Sequence, residues 1–92
     1  MILKFTKNKE QFKKVGDNMI LGYNQELDRY GILENDLWVD SGLHCGECIE
    51  VFVNDKWIQD RIEYDHKIKN WYLVGTGLIG EQLEYVKVRL GE

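Results

Sequence analysis

The sequence predicts a mainly β domain built from short antiparallel strands, and two observations carry this prediction. The 92 residues include nine glycines and no proline. Tight turns must therefore be formed by Gly, Asn and Asp, which tolerate positive φ. Residues 42–75 read as three consecutive strands separated by polar turns. A chain of this length forms one domain with a small core, which we assign to residues 17–92.

Residues 1–16 are predicted to form a basic arm or a short helix in front of this domain. Asn8 and Gln11 have the spacing of a capping box, and Gly16 is placed to end a helix. An edge strand is the alternative prediction for residues 1–6. The segment holds five of the twelve basic side chains but one of the sixteen acidic ones, so the domain that follows is strongly acidic.

The first half of the domain predicts a hairpin followed by a short element. Residues 19–23 and 29–33 are apolar-rich and flank a polar connection, which is typical of two paired strands. A helix beginning at Gln25 is the competing interpretation. Residues 34–42 mix turn pairs with the apolar run around Trp38, which predicts a short strand or a packed loop.

The central hairpin is the clearest element of the sequence. Asn54-Asp55 is able to occupy a two-residue primed turn, and this turn sets the register of the strands on either side. Phe52 then faces Trp57, and Cys48 faces Arg61. Period-two alternation assigns one face to the core: Ile49, Val51, Val53, Ile58 and Ile62. The opposite face carries Phe52, Trp57, Gln59 and Arg61.

Two further strands complete the predicted fold. Residues 71–74 supply one, and residues 83–90 supply the other through the alternation of Val86, Val88 and Leu90 with Lys87 and Arg89. A chain of hairpins protects its edges best by curling on itself. The sequence therefore predicts a small SH3-like β-barrel of five or six antiparallel strands, with the short helix or extended arm in front.

Several motifs resemble a known family. They are LHCGECIEV at residues 43–51, DKW at 55–57, RIEY at 61–64 and WYLVG at 71–75. Together they resemble a small family of domains of unknown function from Gram-positive bacteria and their mobile elements, over residues 19–90. The resemblance implies a small all-β domain and assigns no activity to any residue.

Cys45 and Cys48 have the spacing of half a zinc site or of a redox pair. A tetrahedral metal shell would need His66 or a second subunit, because the adjacent His44 seldom points at the same ion. A redox pair favours a helix N-terminus, and here a strand follows. The prediction is therefore two small buried thiols, no metal and no cofactor, with zinc or redox chemistry as an alternative.

Gly75, Gly77 and Gly80 match G-x-G-x-x-G directly after a strand, the context in which glycines approach a pyrophosphate. Twelve residues follow Gly80, too few for the rest of a dinucleotide fold. We predict a flexible hairpin loop that is able to line a ligand surface.

Aromatic residues mark the predicted binding face, because large rigid rings dominate interface hot spots. The candidate binding residues are Phe52, Trp57, Arg61, Trp71 and Trp38. Filling or covering the barrel is the alternative role of these rings. The acidic residues show no spacing that singles out a catalytic pair, so we predict no enzymatic activity. We expect them to form a solvated face made up of Asp36, Asp40, Glu47, Glu50, Asp60, Glu63 and Asp65.

The predicted function is a non-enzymatic, cytoplasmic binding module. Its acidic surface suits a basic partner, and we expect a mobile-element or phage accessory protein that blocks a host macromolecule, as in inhibition of a CRISPR nuclease. Binding of a small anionic ligand, nucleotide or nucleic acid is the alternative. The chain has no segment of about 20 apolar residues to span a membrane, and its exposed edges permit a homodimer.

Overall fold

The structure, a computed structural model, describes residues 18–90, and within them it is all-β. The predictions for residues 1–16 lie outside this range. Seven strands and one 3-10 turn follow each other along the chain. They are β1 (Met19–Asn24), β2 (Arg29–Glu34), β3 (Leu37–Asp40), β4 (Cys48–Val53), β5 (Lys56–Asp65), β6 (Asn70–Leu73), the 3-10 turn (Gly80–Leu83) and β7 (Val88–Leu90).

The strands form two antiparallel sheets, one ordered β1-β2-β3 and the other β6-β5-β4-β7. The sheets join where the Leu21 N–H donates to the Val86 carbonyl over 2.9 Å, next to a single bridge between Ile20 and Lys87. The predicted closed barrel does not form. A barrel closes only when its edge strands pair, and within residues 18–90 β3 and β6 remain on separate sheets.

Tight turns explain why the hairpins form as predicted. Asn54 and Asp55 have φ of 53° and 65°, as a type I′ turn requires, and β4 pairs with β5 in the predicted register. Asn35 and Asp36 make an equivalent turn between β2 and β3, with φ of 53° and 67°. The alternative of a helix from Gln25 is wrong, because those residues form the turn of the β1–β2 hairpin.

The end of the domain differs from the prediction. Residues 83–90 do not form one strand, because the chain first makes the 3-10 turn, where the Ile79 N–H donates to Gln82 Oε1 over 3.0 Å. Gly80 has φ of 61°, and a Cβ at this position would lie 2.9 Å from Asn70 Nδ2. The sequence therefore needs a glycine here, and only Val88–Leu90 remains as strand β7.

The core lies between the inner faces of the two sheets. Of the predicted core face of β4 and β5, Ile49, Val51 and Ile62 are buried, while Val53 and Ile58 are partly buried. Each fully buried aliphatic side chain contributes about 1.5–3 kcal/mol to stability. The other buried apolar residues are Met19, Leu21, Tyr30, Ile32, Leu43, Trp71, Leu73, Leu83 and Val88. Across residues 18–90, no helix has the length and apolarity that crossing a membrane requires.

Candidate binding sites

The outer face of the four-stranded sheet holds three of the predicted binding residues. Phe52 lies opposite Trp57 with ring centroids 5.2 Å apart. Arg61 follows on the same face of β5, where its Nε is 2.9 Å from Glu63 Oε2. The β4–β5 register places these residues on one face as the sequence predicts, and their binding role stays a prediction.

Two cations that the sequence analysis did not select cover these rings. The Arg89 guanidinium lies 4.1 Å from the centroid of Trp57, and the Lys87 ammonium lies 5.4 Å from that of Phe52. Arg89 also contacts Glu50 at 2.5 Å. Alternation along the last strand indicated that both cations share a face, but nothing in the sequence showed that β7 pairs with β4.

Trp71, also a candidate binding residue, lies in the interior of the fold and not on the outer face. Its side chain is 6% exposed and lies on the inner side of the fold, where its indole N–H donates to the Asp28 carbonyl over 3.2 Å. The register pairs it with Tyr64, and β6 turns this pair inward because Leu73 on the same side belongs to the core. This position fits the alternative role of filling the interior, and the binding role of Trp71 stays a prediction.

Trp38 lies on the other sheet, in strand β3. It is 42% exposed, and its neighbours Leu37 and Val39 are 73% and 46% exposed. The pairing of β2 with β3 shifts register between Ile32 and Leu33, which leaves Val39 without a partner on β2 and interrupts the alternation of side chains. The exposure of all three residues shows that this part of β3 lies outside the core. We name Leu37, Trp38 and Val39 the edge strip.

The glycine loop is held by a carboxylate of the protein itself. Asp60, predicted to be solvated, is 5% exposed. Its carboxylate accepts the N–H groups of Gly75, at 2.5 Å, and Thr76, at 2.9 Å, in addition to that of Arg61. A phosphate cradle needs free amides, whereas here two amides of the loop already face a negative charge. The sequence feature that could have indicated the burial of Asp60 is its position on the core face of β5.

The two cysteines are exposed free thiols, so the prediction that they are buried is wrong. Cys45 follows His44 in a turn closed by the bond from the Glu47 N–H to the His44 carbonyl, at 3.1 Å. Gly46, with φ of 89°, makes this turn possible. Cys45 lines a cavity with Tyr64 and His66, while Cys48 lines a different one. Within residues 18–90, no three metal-ligating side chains come together.

A cavity of about 430 Å³ lies between the inner side of the three-stranded sheet and β6, and we name it the aromatic cavity. Two T-shaped ring pairs line it: Tyr23 with Tyr30 at 5.2 Å and Tyr64 with Trp71 at 5.0 Å. None of the three tyrosines was predicted as a site residue. Each ring pair faces across a hairpin, but nothing in the sequence relates one pair to the other. The remaining lining residues are Asp28, Lys69, Asn70, Gly80, Glu81 and Glu84.

Hydrogen bonds and burial keep two of the phenols of the aromatic cavity protonated. The Tyr23 hydroxyl donates to the Asp28 carboxylate, and this bond, with burial, raises the pKa of Tyr23 to about 12. Burial, followed by the negative charges of Glu84 and Glu81, raises the pKa of Tyr30. Both rings are therefore neutral at physiological pH, and the aromatic cavity has a negative electrostatic environment.

Comparisons with known proteins support the fold and the family. A family model described as a domain of unknown function (DUF5348) matches residues 19–90, the range over which the resemblance was predicted. A crystal structure of a protein from Ruminococcus gnavus, a structural genomics target, is similar, with 41% identity and a TM-score of 0.60. The match covers 76% of this chain and 94% of that chain. No curated protein matches the sequence.

Proposed function

This chain belongs to the DUF5348 family of domains of unknown function, and we propose that it is a non-enzymatic binding module whose strand β3 engages a basic protein segment. The observation that carries the proposal is the edge strip. Leu37 is 73% exposed, and its two neighbours are exposed as well. Contiguous exposed apolar side chains of this kind mark interaction surfaces.

The backbone of β3 supports the same proposal. Within residues 18–90, β3 pairs only with β2, so one side of the strand presents unpaired N–H and C=O groups. Such an edge accepts an extended segment by strand addition, in which main-chain hydrogen bonds supply affinity and alternate side chains supply specificity. On the outer face, the Trp38 ring lies over Leu33 and Gly22, so it leans towards β1 and leaves the opposite edge of β3 uncovered.

The charge around the edge strip defines the chemistry of the partner. Glu34 and Asp36 precede the strip and Asp40 follows it, while the whole chain carries a net charge of −4. A basic segment with apolar side chains complements this surface. Complementary charge speeds association and makes it sensitive to salt.

The biological form that we propose is an accessory protein of a Gram-positive bacterium or its mobile elements. It would act in the cytoplasm by occupying the basic nucleic-acid channel of a host macromolecule, such as a CRISPR nuclease, and blocking it. Channels that hold nucleic acid are positively charged, and an acidic domain is electrostatically suited to them. Phe52, Trp57 and Arg61 form the second candidate surface, although Arg89 already covers one face of the Trp57 ring.

A photo-crosslinking amino acid in place of Leu37 tests the proposal. After irradiation in a bacterial lysate, the crosslinked protein is identified by mass spectrometry and purified, and its Kd is measured with each variant. Leu37→Lys adds a charge to the exposed edge, which disfavours strand addition, so we expect affinity to fall at least about tenfold, or ~1.4 kcal/mol. Ile68→Lys is the matched control, because Ile68 is an exposed apolar residue outside the edge strip.

Equal affinities of Leu37→Lys and Ile68→Lys for the purified partner would refute the role of β3. A crosslink to a second copy of the chain would identify a homodimer instead of a host partner. The other candidate functions have their own tests. Salt-sensitive quenching of tryptophan fluorescence by single-stranded oligonucleotides would favour nucleic-acid binding. Bound zinc that is lost in Cys45→Ser would favour a metal site.

A further inference from the structure

We propose that the aromatic cavity, lined by Tyr23, Tyr30, Tyr64 and Trp71, binds a substituted ammonium cation. Choline is a free molecule with this group, and trimethyllysine is a side chain with it. The site is separate from the edge strip of β3, and the proposal does not depend on a protein partner there.

Ring geometry is the first argument. Tyr23 and Tyr30 meet at an interplanar angle of 61°, and Tyr64 and Trp71 meet at 64°. Four rings in two T-shaped pairs thus line a cavity of about 430 Å³, a volume within the range of small-molecule sites. A cation is attracted to the negative face of an aromatic ring within about 6 Å, and aromatic cages are a recurrent way to bind quaternary ammonium groups.

The rings are held in place by the protein itself. The Trp71 indole N–H donates to the Asp28 carbonyl over 3.2 Å, and the Tyr30 hydroxyl donates to the Gly80 carbonyl over 3.0 Å. The Tyr23 hydroxyl donates to the Asp28 carboxylate. Because the polar atoms of these three rings are already bonded, little ordering is required when a ligand binds, which favours affinity.

The charges of the lining residues select a cation over an anion. Three carboxylates line the aromatic cavity, on Asp28, Glu81 and Glu84, against the Lys69 ammonium among the lining residues and the Arg29 guanidinium, which lies 5.8 Å from the centroid of Trp71. The raised pKa of Tyr30 reflects this negative surrounding, after the larger effect of burial. A phosphate-bearing ligand would meet net repulsion here, whereas a methylated ammonium gains both the carboxylate charges and the ring faces.

NMR of the indole N–H groups reads out binding directly, because Trp71 is in the aromatic cavity and the other two tryptophans are not. The probes are choline and its neutral carbon isostere 3,3-dimethylbutanol. We expect choline to shift the Trp71 resonance in a saturable way, to leave Trp38 and Trp57 unchanged, and to bind at least about tenfold more tightly than the isostere, or ~1.4 kcal/mol. Trimethyllysine, titrated in parallel with unmodified lysine, distinguishes the two sources of the cation.

Charge variants separate the cation from a merely apolar ligand. Glu81→Gln with Glu84→Gln removes two charges from the lining without altering side-chain size, so we expect choline affinity to fall about fivefold while isostere affinity does not change. Lys69→Ala removes the competing ammonium, so choline affinity should rise. Asp55→Asn is the control, because Asp55 lies in the turn before β5, at the other end of that strand from Tyr64.

Two results would overturn the inference. One is equal affinity for choline and the isostere, which would mark an apolar cavity without cation selectivity. The other is a Trp71 resonance that does not shift at the highest concentrations of choline and of trimethyllysine used in the titrations. Neither result bears on the edge strip, since Leu37→Lys is expected to leave choline binding unchanged.

Discussion

Two aromatic pairs in the same sheet have almost the same local geometry and different surroundings. Phe52 and Trp57 are register partners with ring centroids 5.2 Å apart, and Tyr64 and Trp71 are register partners at 5.0 Å. Each tryptophan also has a guanidinium near its ring, from Arg89 in the first pair and Arg29 in the second. Pairing across strands therefore does not distinguish a surface pair from an interior pair.

The distinction lies in what each pair meets beyond its own sheet. The Phe52–Trp57 pair is on the outer face, beneath the charged side chains of Lys87 and Arg89. The Tyr64–Trp71 pair meets the β1–β2 hairpin, which supplies the Asp28 carbonyl as an acceptor for the indole N–H. The comparison shows that the opposing sheet converts one of two similar pairs into the wall of a cavity.

Replacing each tryptophan by alanine has the largest expected effect and tests this difference directly. Trp71→Ala removes a buried ring and should lower the free energy of unfolding by about 3–5 kcal/mol. Trp57→Ala removes a half-buried ring and should cost about 1 kcal/mol. Urea denaturation measures both values, and Trp71→Phe serves as a control that keeps an aromatic ring. Equal losses for the two alanine variants would contradict the comparison.

Asp60 lies on β5 between the two pairs and supports the inner one. Its carboxylate accepts the N–H groups of Gly75 and Thr76, directly after the strand that carries Trp71. Asp60→Ala leaves these donors without an acceptor, and we expect a loss of about 2–3 kcal/mol in unfolding free energy. The Trp71 indole resonance should shift and that of Trp57 should not. A shift of both resonances to the same extent would show that Asp60 supports the whole sheet.

Tyr23, in the inner region, makes a contribution to stability that depends on pH. The Asp28 carboxylate accepts the phenol proton and raises the pKa of Tyr23 to about 12, whereas an unperturbed tyrosine titrates near about 10. A folded-state pKa above the unfolded value means that this contribution to stability is complete below about pH 10. It is lost as the pH rises towards 12.

Asp28→Asn removes the carboxylate charge, so the pKa of Tyr23 should fall towards about 10. Ultraviolet absorbance of the phenolate measures the titration, and Tyr23→Phe identifies which phenol is responsible. A Tyr23 titration unchanged by Asp28→Asn would show that burial, not the hydrogen bond, controls the proton.

The smallest expected effect concerns the two guanidinium groups. Arg89→Met removes the contact with Trp57 and the partly exposed pair with Glu50, and we expect a loss of about 0.5–1 kcal/mol in unfolding free energy. Arg29→Met should cost more, because the Arg29 guanidinium also donates to the Leu43 carbonyl over 3.0 Å. Urea denaturation at low and high salt measures the loss in unfolding free energy for each of the two variants. A larger loss for Arg89→Met would reverse the assignment of inner and outer pairs.

Local features of the sequence determined the hairpins and their register. Asn54-Asp55 specifies a primed turn because both residues tolerate positive φ, and period-two alternation then assigns the faces of β4 and β5. Asn35 and Asp36 form a turn for the same reason, since both have positive φ. These features need only neighbouring residues, so the pairing of Phe52 with Trp57 followed from the sequence.

The tertiary structure decided which faces meet, whether the sheets close into a barrel, and where a cavity forms. Tyr23 pairs with Tyr30 in one hairpin and Tyr64 pairs with Trp71 in another, but no spacing in the chain brings the two pairs together. Asp60 is a carboxylate on a core face, and only the return of the chain at Gly75 supplies its donors. Contacts between sheets depend on how the packed layers twist and fit together, and that information is spread over the whole chain instead of residing in any one segment.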